Sequence, residues 1–388
     1  MKSRYLTNPL LEDLKEKMIF LSGPRQVGKT TLATEIIGKK MKSLSFNWDK
    51  LQERKQALKG EWPEETELII LDEFHKHRKW KTWIKGEYDT YKNKYKFLLT
   101  GSARLNVYRK GGDSLQGRYY HYRFHPFSLS EMVNQTCQTQ PGKDLVFSQK
   151  FFWPECETLL RFGGFPEPLL KQNTRHLRRW QTLRLEKFLK EDVRDLTRIQ
   201  DIGNLSLLCE LLPEKIKSPL SINSLAEDLQ VNFRTITNWI RACEELYYCY
   251  LIPPFQTRKI AAVKKEKKLY LWDWALIEDE SARLENLVAS HLLKYCHFLH
   301  DHDGLQATLH FIRDNAGRET DFLVCLKNKP WFAVEVKTKD TTISKNLFYF
   351  QKKLDIPHCY QVVEKTKKDF LKNDIHVLPL AKFLTALI

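Results

Sequence analysis

The sequence predicts an α/β chain of several domains, opening on a parallel sheet and ending in a second α/β region. Three observations carry this reading. Short unbroken apolar runs alternate with amphipathic stretches over the N-terminal part. A glycine-rich turn joins the first of these runs to a helix. Towards the C-terminus, charged and apolar residues alternate along two segments separated by turn residues.

Taken in order, Met18-Ile19-Phe20-Leu21 reads as a buried strand, followed by the turn and a helix from Lys29 to about Lys39. Ser43 to Trp48, Leu68 to Leu71 and Phe97 to Thr100 read as further strands. Strands alternating with helices imply a parallel sheet covered on both faces, and continuous apolar runs agree with that burial. From Cys156 to Leu212 the pattern turns helical, with Leu183, Phe188, Leu189, Val193 and Leu196 at helical spacing. Two short helices follow, Ser224 to Leu229 and Phe233 to Leu246. Then come a strand from Tyr247, a break at Pro253-Pro254 and a charged linker, Lys264 to Lys268. The expected domains are 1–155, the parallel-sheet core; 156–212, a helical lid; 213–262, a winged helix-turn-helix; and 263–388, the second α/β domain.

A chain of 388 residues exceeds one ordinary core. With 42% hydrophobic residues it is no disordered polymer. A net charge of +16 fits contact with a polyanion such as nucleic acid, or a generally basic surface. The eight cysteines form no C-x-x-C pair, so neither a zinc knuckle nor a redox dithiol is indicated. No apolar run is long enough to span a membrane, and the N-terminal Met-Lys-Ser-Arg-Tyr lacks the apolar core of a signal peptide. A cytoplasmic chain without a membrane partner is expected.

Gly23-Pro24-Arg25-Gln26-Val27-Gly28-Lys29-Thr30 fits G-x-x-x-x-G-K-[ST], with a strand before and a helix after. Glycines allow backbone N–H groups to wrap a phosphate, and the helix N-terminus adds its positive dipole end. Lys29 is suited to bridge the β- and γ-phosphates of ATP, and Thr30 to hold Mg²⁺, with Thr31 completing the loop. The Leu68–Leu71 strand delivers Asp72 to the same metal shell and Glu73 as a general base. Ser102, in Thr100-Gly101-Ser102, reads either as a γ-phosphate sensor or as a turn with a helix cap. Arg118 reads as an arginine finger, in cis or lent by a neighbouring subunit through self-association, or as a surface arginine.

In the middle, Ile236, Ile240 and Cys243 point to one side of their helix, and Arg234, Thr235, Thr237, Asn238 and Arg241 to the other. That is the layout of a recognition helix for DNA, and equally of a helix used for packing. Near the end, Glu285 lies on a helix, Asp321 follows Glu319-Thr320, and Glu335 and Lys337 share a strand face. Asp321, Glu335 and Glu285 are suited to a hard divalent ion, with Lys337 steadying a phosphate, which is the chemistry of phosphodiester hydrolysis. A solvated strand face gives the same pattern.

Taken together, residues 23–31, Leu-Asp-Glu-Phe-His-Lys (71–76), Leu-Thr-Gly-Ser-Ala-Arg-Leu (99–105), Gly-Asp-Ser-Leu-Gln-Gly-Arg (112–118), His-Pro-Phe-Ser-Leu-Ser-Glu (125–131) and Phe-Gly-Gly-Phe-Pro-Glu (162–167) resemble one family. It is the prokaryotic AAA-type ATPases that carry a C-terminal domain of restriction-endonuclease-like fold. Glu285, Glu319-Thr320-Asp321 and Glu335-Val336-Lys337 extend the resemblance to that domain. The resemblance implies a Mg²⁺-dependent ATPase core, a helical and winged-helix middle and a PD-(D/E)xK-like end. The chain departs from it at His75, where many relatives have Gln, and at Glu191, where an Arg is usual.

Overall fold

Met18 to Ser22 offers no polar side chain before its last residue, so it is stable only where both faces are covered. In the computed structural model it is the inner strand β1 of a five-stranded parallel sheet. The structure describes residues 4–77, 79–101, 115–194, 197, 199–256 and 266–388, the His75 side chain excepted. It comprises two units: residues up to Pro126 with Glu245–Tyr247, and Phe127–Glu244 with Tyr248–Ile388.

In the first unit the other strands are β2 (Ser43–Asn47), β3 (Leu68–Asp72), β4 (Lys96–Gly101) and β5 (Tyr119–Arg123), in the order β2-β3-β4-β1-β5. Sequence periodicity had no strand at β5, because Tyr-Tyr-His-Tyr-Arg contains no apolar run. Its aromatic rings serve instead, with Tyr119 stacked on Phe20. The edge strand β2 is only partly buried, whereas β1 and β3 are buried throughout. The register pairs Asn47 with Asp72, Leu71 with Leu99, and Ser22 with Gly101. The carboxyl ends of β1, β3 and β4 therefore share one edge, where ligands of open parallel sheets bind. A cluster including Trp48, Trp62, Phe74, Trp80, Ile84 and Phe97 packs one face.

The second unit contains a helical stretch: Trp153–Phe162, Pro166–Lys171, Thr174–Lys187 running on into Phe188–Val193, and Ile202–Leu211. Phe188, Leu189 and Val193 are buried as the periodicity predicted, but Leu183 is 55% exposed and lies outside that core, while Leu196 falls outside the described residues. Helices Ile222–Asp228 and Phe233–Glu245 follow. The second buries Ile236, Trp239, Ile240 and Cys243 and exposes Arg234, Thr237, Asn238 and Arg241. Strands β6 (Cys249–Ile252) and β7 (Lys268–Leu271) pair antiparallel. The expectation of a charged linker over Lys264 to Lys268 is corrected at its last residue: Lys268 opens β7 and is 1% exposed.

The remaining strands are β8 (Ala307–Arg313), β9 (Glu319–Leu326), β10 (Lys329–Lys337), β11 (His358–Val363), β12 (Phe370–Lys372) and β13 (Ile375–Pro379). They form one mixed sheet, ordered β12-β13-β11-β10-β9-β8. β8, β9 and β10 make an antiparallel meander, and β10 pairs parallel with β11, reached through helix Lys345–Leu354. Between β9 and β10 only Lys327 and Asn328 turn, both left-handed at φ 48° and 62°. Such a two-residue turn matches the twist of the strands it joins. Helix Lys345–Leu354 buries Leu347 and Phe350 with Leu323, Cys325 and Ala333. The long helix Glu280–Asp301 packs on the strands β8, β9 and β10.

Candidate functional site

The loop after β1 depends on backbone shapes that only certain residues allow. A Cβ on Gly23 would lie 2.4 Å from the Phe124 carbonyl oxygen, so only glycine fits. Gln26 and Gly28 have φ of 63° and 98°. The Lys29 ammonium folds back over the loop and donates to the Gly23 and Pro24 carbonyl oxygens, each at 2.9 Å. Helix Thr31–Ile37 follows, wound with i+5 bonds.

The sheet register brings the second half of the site to this loop. Thr30 donates its hydroxyl to both Asp72 oxygens, at 3.1 and 3.0 Å. Asn47 Nδ2 donates to Asp72 Oδ2 at 3.1 Å, and the Thr100 hydroxyl donates to Asp72 Oδ1. Asp72 is thus held by one polar group from each neighbouring strand and one from the loop helix. Sequence reasoning missed Asn47, whose only signal was its place at the end of a strand. Glu73 follows with φ 54°, a left-handed turn that breaks the strand direction. Burial raises its carboxyl above the usual carboxylate value, against the opposing pull of Lys29.

This set fits a magnesium nucleotide on an observation of its own. A hydroxyl and a carboxylate, both hard oxygen donors, already meet beside a buried ammonium and a glycine loop. Ser102 lies outside the described residues. Arg118 is not brought to the loop of its own chain. It precedes Tyr119, which pairs with Met18 at the opposite edge of the sheet, and its guanidinium grips Asp89 at 2.7 and 3.0 Å.

In the second unit, one residue beyond the Val334–Phe322 pair, the Asp321 carboxylate accepts the Val336 N–H at 2.8 Å. Glu335 is 5% exposed; its Oε1 accepts from Lys337 Nζ at 2.8 Å and from the Ser344 hydroxyl at 3.2 Å. Its Oε2 is buried with no hydrogen-bond partner. Glu285, on the long helix, is bound elsewhere: Tyr270 donates to its Oε1 at 2.7 Å and Lys268 Nζ lies at 3.2 Å from the same oxygen. Lys268 also lies 2.6 Å from Glu319 Oε1. Burial first, then the Glu335 and Glu285 charges, push the Asp321 carboxyl well above the ordinary range, against the pull of Lys268. Lys268 and Tyr270 escaped the sequence reading.

The sequence expectation that Glu285, Asp321 and Glu335 gather round a divalent ion therefore meets an obstacle. An ammonium already engages Glu285 and Glu319, and among the described residues no three acidic, histidine or cysteine side chains are grouped to hold a metal. As arranged, these residues do not fit a divalent cation.

The segment after Pro126 is held by buried polar contacts. Ser128 caps helix Leu129–Met132 in a capping box with Glu131, and Lys294 pairs with Glu131 in a buried contact. His291 Nε2 accepts the Leu129 N–H at 3.1 Å, so its proton sits on Nδ1, facing the Leu287 carbonyl at 2.8 Å. Burial lowers its pKa to about 4. All eight cysteines are free thiols, and no helix among the described residues is long and apolar enough to cross a membrane.

Comparison with known proteins divides the chain in three. Residues 15–133 match the family described as "AAA domain", residues 154–282 a domain of unknown function, DUF8612, and residues 281–383 another, DUF4143. An uncharacterized protein of Methanocaldococcus jannaschii is 24% identical, over 74% of this chain and 70% of its own. Among solved structures, a Walker-type ATPase of Pyrococcus abyssi aligns at 13% identity over 73% of this chain and 96% of its own, with a TM-score of 0.44. The C. elegans protein PCH-2 aligns at 14% identity over 62% and 66%, with a TM-score of 0.22. The N-terminal part is an AAA-type P-loop ATPase-like domain.

Proposed function

We propose that the chain binds and hydrolyses ATP with Mg²⁺ at the loop Gly23–Thr30. The observation that carries this is the meeting of Thr30, Thr100 and Asn47 on the Asp72 carboxylate beside Lys29. Gly23, Pro24, Arg25, Gln26, Val27, Gly28 and Thr31 would form the loop and first turn around the phosphates, with Lys29 turning from its carbonyl contacts to the β- and γ-oxygens. Thr30 and Asp72 would hold the magnesium ion, which when bound supplies charge neutralisation across the phosphates. Glu73, next in chain and half buried, would take a proton from the attacking water. Arg118, at the far edge of the sheet, keeps a finger role only towards a nucleotide held by another subunit. The test is release of phosphate from ATP by the purified chain, with Mg²⁺ and with chelator. No Mg²⁺-dependent release under any condition that leaves the chain folded would end this reading.

The finer part of the proposal is that nucleotide state controls contact with nucleic acid. Helix Phe233–Glu245, with Arg234, Thr237, Asn238 and Arg241 exposed ahead of the β6–β7 pair, supports a winged-helix reading. The +16 charge supports a polyanionic partner. DNA binding that weakens steeply with salt is expected, and a flat salt response would point to protein partners instead. For the C-terminal domain, the meander β8–β10 followed by a helix and the parallel strand β11 supports the nuclease-like reading of the fold. The ion pairs of Lys268 favour a docking domain over a cleaving one, and for this reason no cleavage step is assigned.

A further inference from the structure

We infer that the C-terminal acidic site carries its own cation: Lys268, entering from β7 outside the sheet, occupies the position among Glu285, Glu319 and Asp321 that a divalent ion would need, and keeps the site free of metal. The inference rests on the nuclease-like reading of this domain and is independent of the ATP site.

Three features support it. First, Lys268 is buried almost completely, at 1% exposure, in a place where an ammonium is stable only if paired. Second, its contacts are carboxylates from two separate elements, Glu285 of the long helix at 3.2 Å and Glu319 of β9 at 2.6 Å, so it bridges them as an ion would. Third, the Tyr270 hydroxyl, two residues on and on the same strand face, binds the same Glu285 oxygen at 2.7 Å. Glu285 is thereby turned towards β7, and its contacted oxygen has no capacity to spare for an ion shared with Glu335. On the other side, Lys337 and Ser344 hold Glu335 Oε1, leaving only Oε2 as a buried acceptor with no partner. That oxygen and the Asp321 carboxylate, without Glu285, are too few for Mg²⁺ or Mn²⁺, which require several ligands at once.

An ammonium cannot do what a divalent ion does in phosphodiester hydrolysis: it carries half the charge and coordinates no water as a nucleophile. What it does supply is rigidity, tying β7, β9 and the long helix together through one buried charge.

The experiment measures Mn²⁺ bound by the full, nucleotide-free chain, by electron paramagnetic resonance of the free ion. Asp72→Asn is carried in every protein, so the loop site contributes nothing. The parent is expected to bind no Mn²⁺ that depends on Asp321. Lys268→Met, close in size and uncharged, is expected to gain about one ion per chain, lost again when Asp321→Asn or Glu335→Gln is added. Its thermal transition is expected to fall and to be restored by Mn²⁺ but not by Na⁺ at equal ionic strength. Lys268→Arg keeps the charge and is expected to stay folded and metal-free. Mn²⁺ binding by the parent that Asp321→Asn abolishes would overturn the inference, as would a folded Lys268→Met that binds none. Should Lys268→Met not fold, the parent and Lys268→Arg measurements still decide. Failure of ATP hydrolysis in the unmodified chain would leave all these outcomes untouched.

Discussion

Thr30 and Asp72, 42 residues apart in sequence, meet with the threonine hydroxyl spanning both carboxylate oxygens at 3.1 and 3.0 Å. The contact aligns two hard oxygen donors before any ion arrives. Removing one donor's charge should leave the fold intact and cripple the chemistry. Asp72→Asn is expected to lower Mg²⁺-dependent phosphate release on the order of 100-fold or more. Titration with Mg²⁺ at saturating ATP checks it, and an unchanged midpoint would contradict the assignment.

Lys29 rests on two carbonyl oxygens at 2.9 Å, a position from which it can turn to phosphate. A hydrogen bond to a charged group contributes about 1.5–3 kcal/mol. Lys29→Ala is therefore expected to weaken ATP binding about 10- to 100-fold by calorimetry. Equal affinity in the two proteins would remove the loop from the account.

Glu73 is expected to separate binding from turnover. Glu73→Gln keeps the shape and should retain ATP while hydrolysis falls about 10²- to 10⁴-fold. Burial raises the carboxyl of this residue. The acid limb of the hydrolysis profile should accordingly lie above the ordinary carboxylate range. An acid limb left unchanged in Glu73→Gln would exclude Glu73 as the base.

His291 makes stability depend on pH in a defined direction. Its folded pKa is lowered to about 4, from an ordinary value of 6.5, by complete burial. The folded state then binds fewer protons than the unfolded one between these values, so stability is full above about pH 6.5 and falls as pH drops towards 4. The loss amounts to about 3 kcal/mol at the lower end. Urea unfolding from pH 8 to 4.5 reads it, and His291→Gln should flatten the slope.

Lys294 and Glu131 form a buried pair, each under 10% exposed, with Ser128 as a further acceptor of the ammonium at 2.9 Å. Lys294→Ala removes the buried counter-ion of the Glu131 carboxylate, which keeps its Ser128 contacts, and is expected to cost about 3–5 kcal/mol. The double variant Lys294→Met with Glu131→Leu should recover most of it. A small loss in the single variant would mean that water reaches Glu131.

Much of the first sheet was readable because β1, β3 and β4 are runs of mostly apolar residues, buried on both faces. The strand β5 was not, since stacked tyrosines take the place of aliphatic residues there. The loop and Asp72 were readable because the motif fixes their spacing. The contact from Asn47 was not, because it depends on parallel register rather than on any local pattern. Lys268 was misread for a clear physical reason. It ends a run of charges, Lys264 to Lys267, that resembles a solvated segment. Its carboxylate partners lie 17 residues on in a helix and further on in β9, where no local rule connects them. Arg118 illustrates the reverse: a spacing next to a glycine suggested a role, and strand pairing put the residue at the other end of β5.

The two-residue turn at Lys327 and Asn328, together with the register shift between Pro330 and Phe332, sets the address of the later side chains on β10. One residue inserted there would slip the hairpin by a single step, and each side chain of that strand would change faces. Glu335 and Lys337 would then point to the face now taken by Val334 and Val336, away from the counter-charges they have today. A turn remote from any chemistry thus works as a spelling rule for the acidic cluster: short, left-handed and intolerant of an added letter.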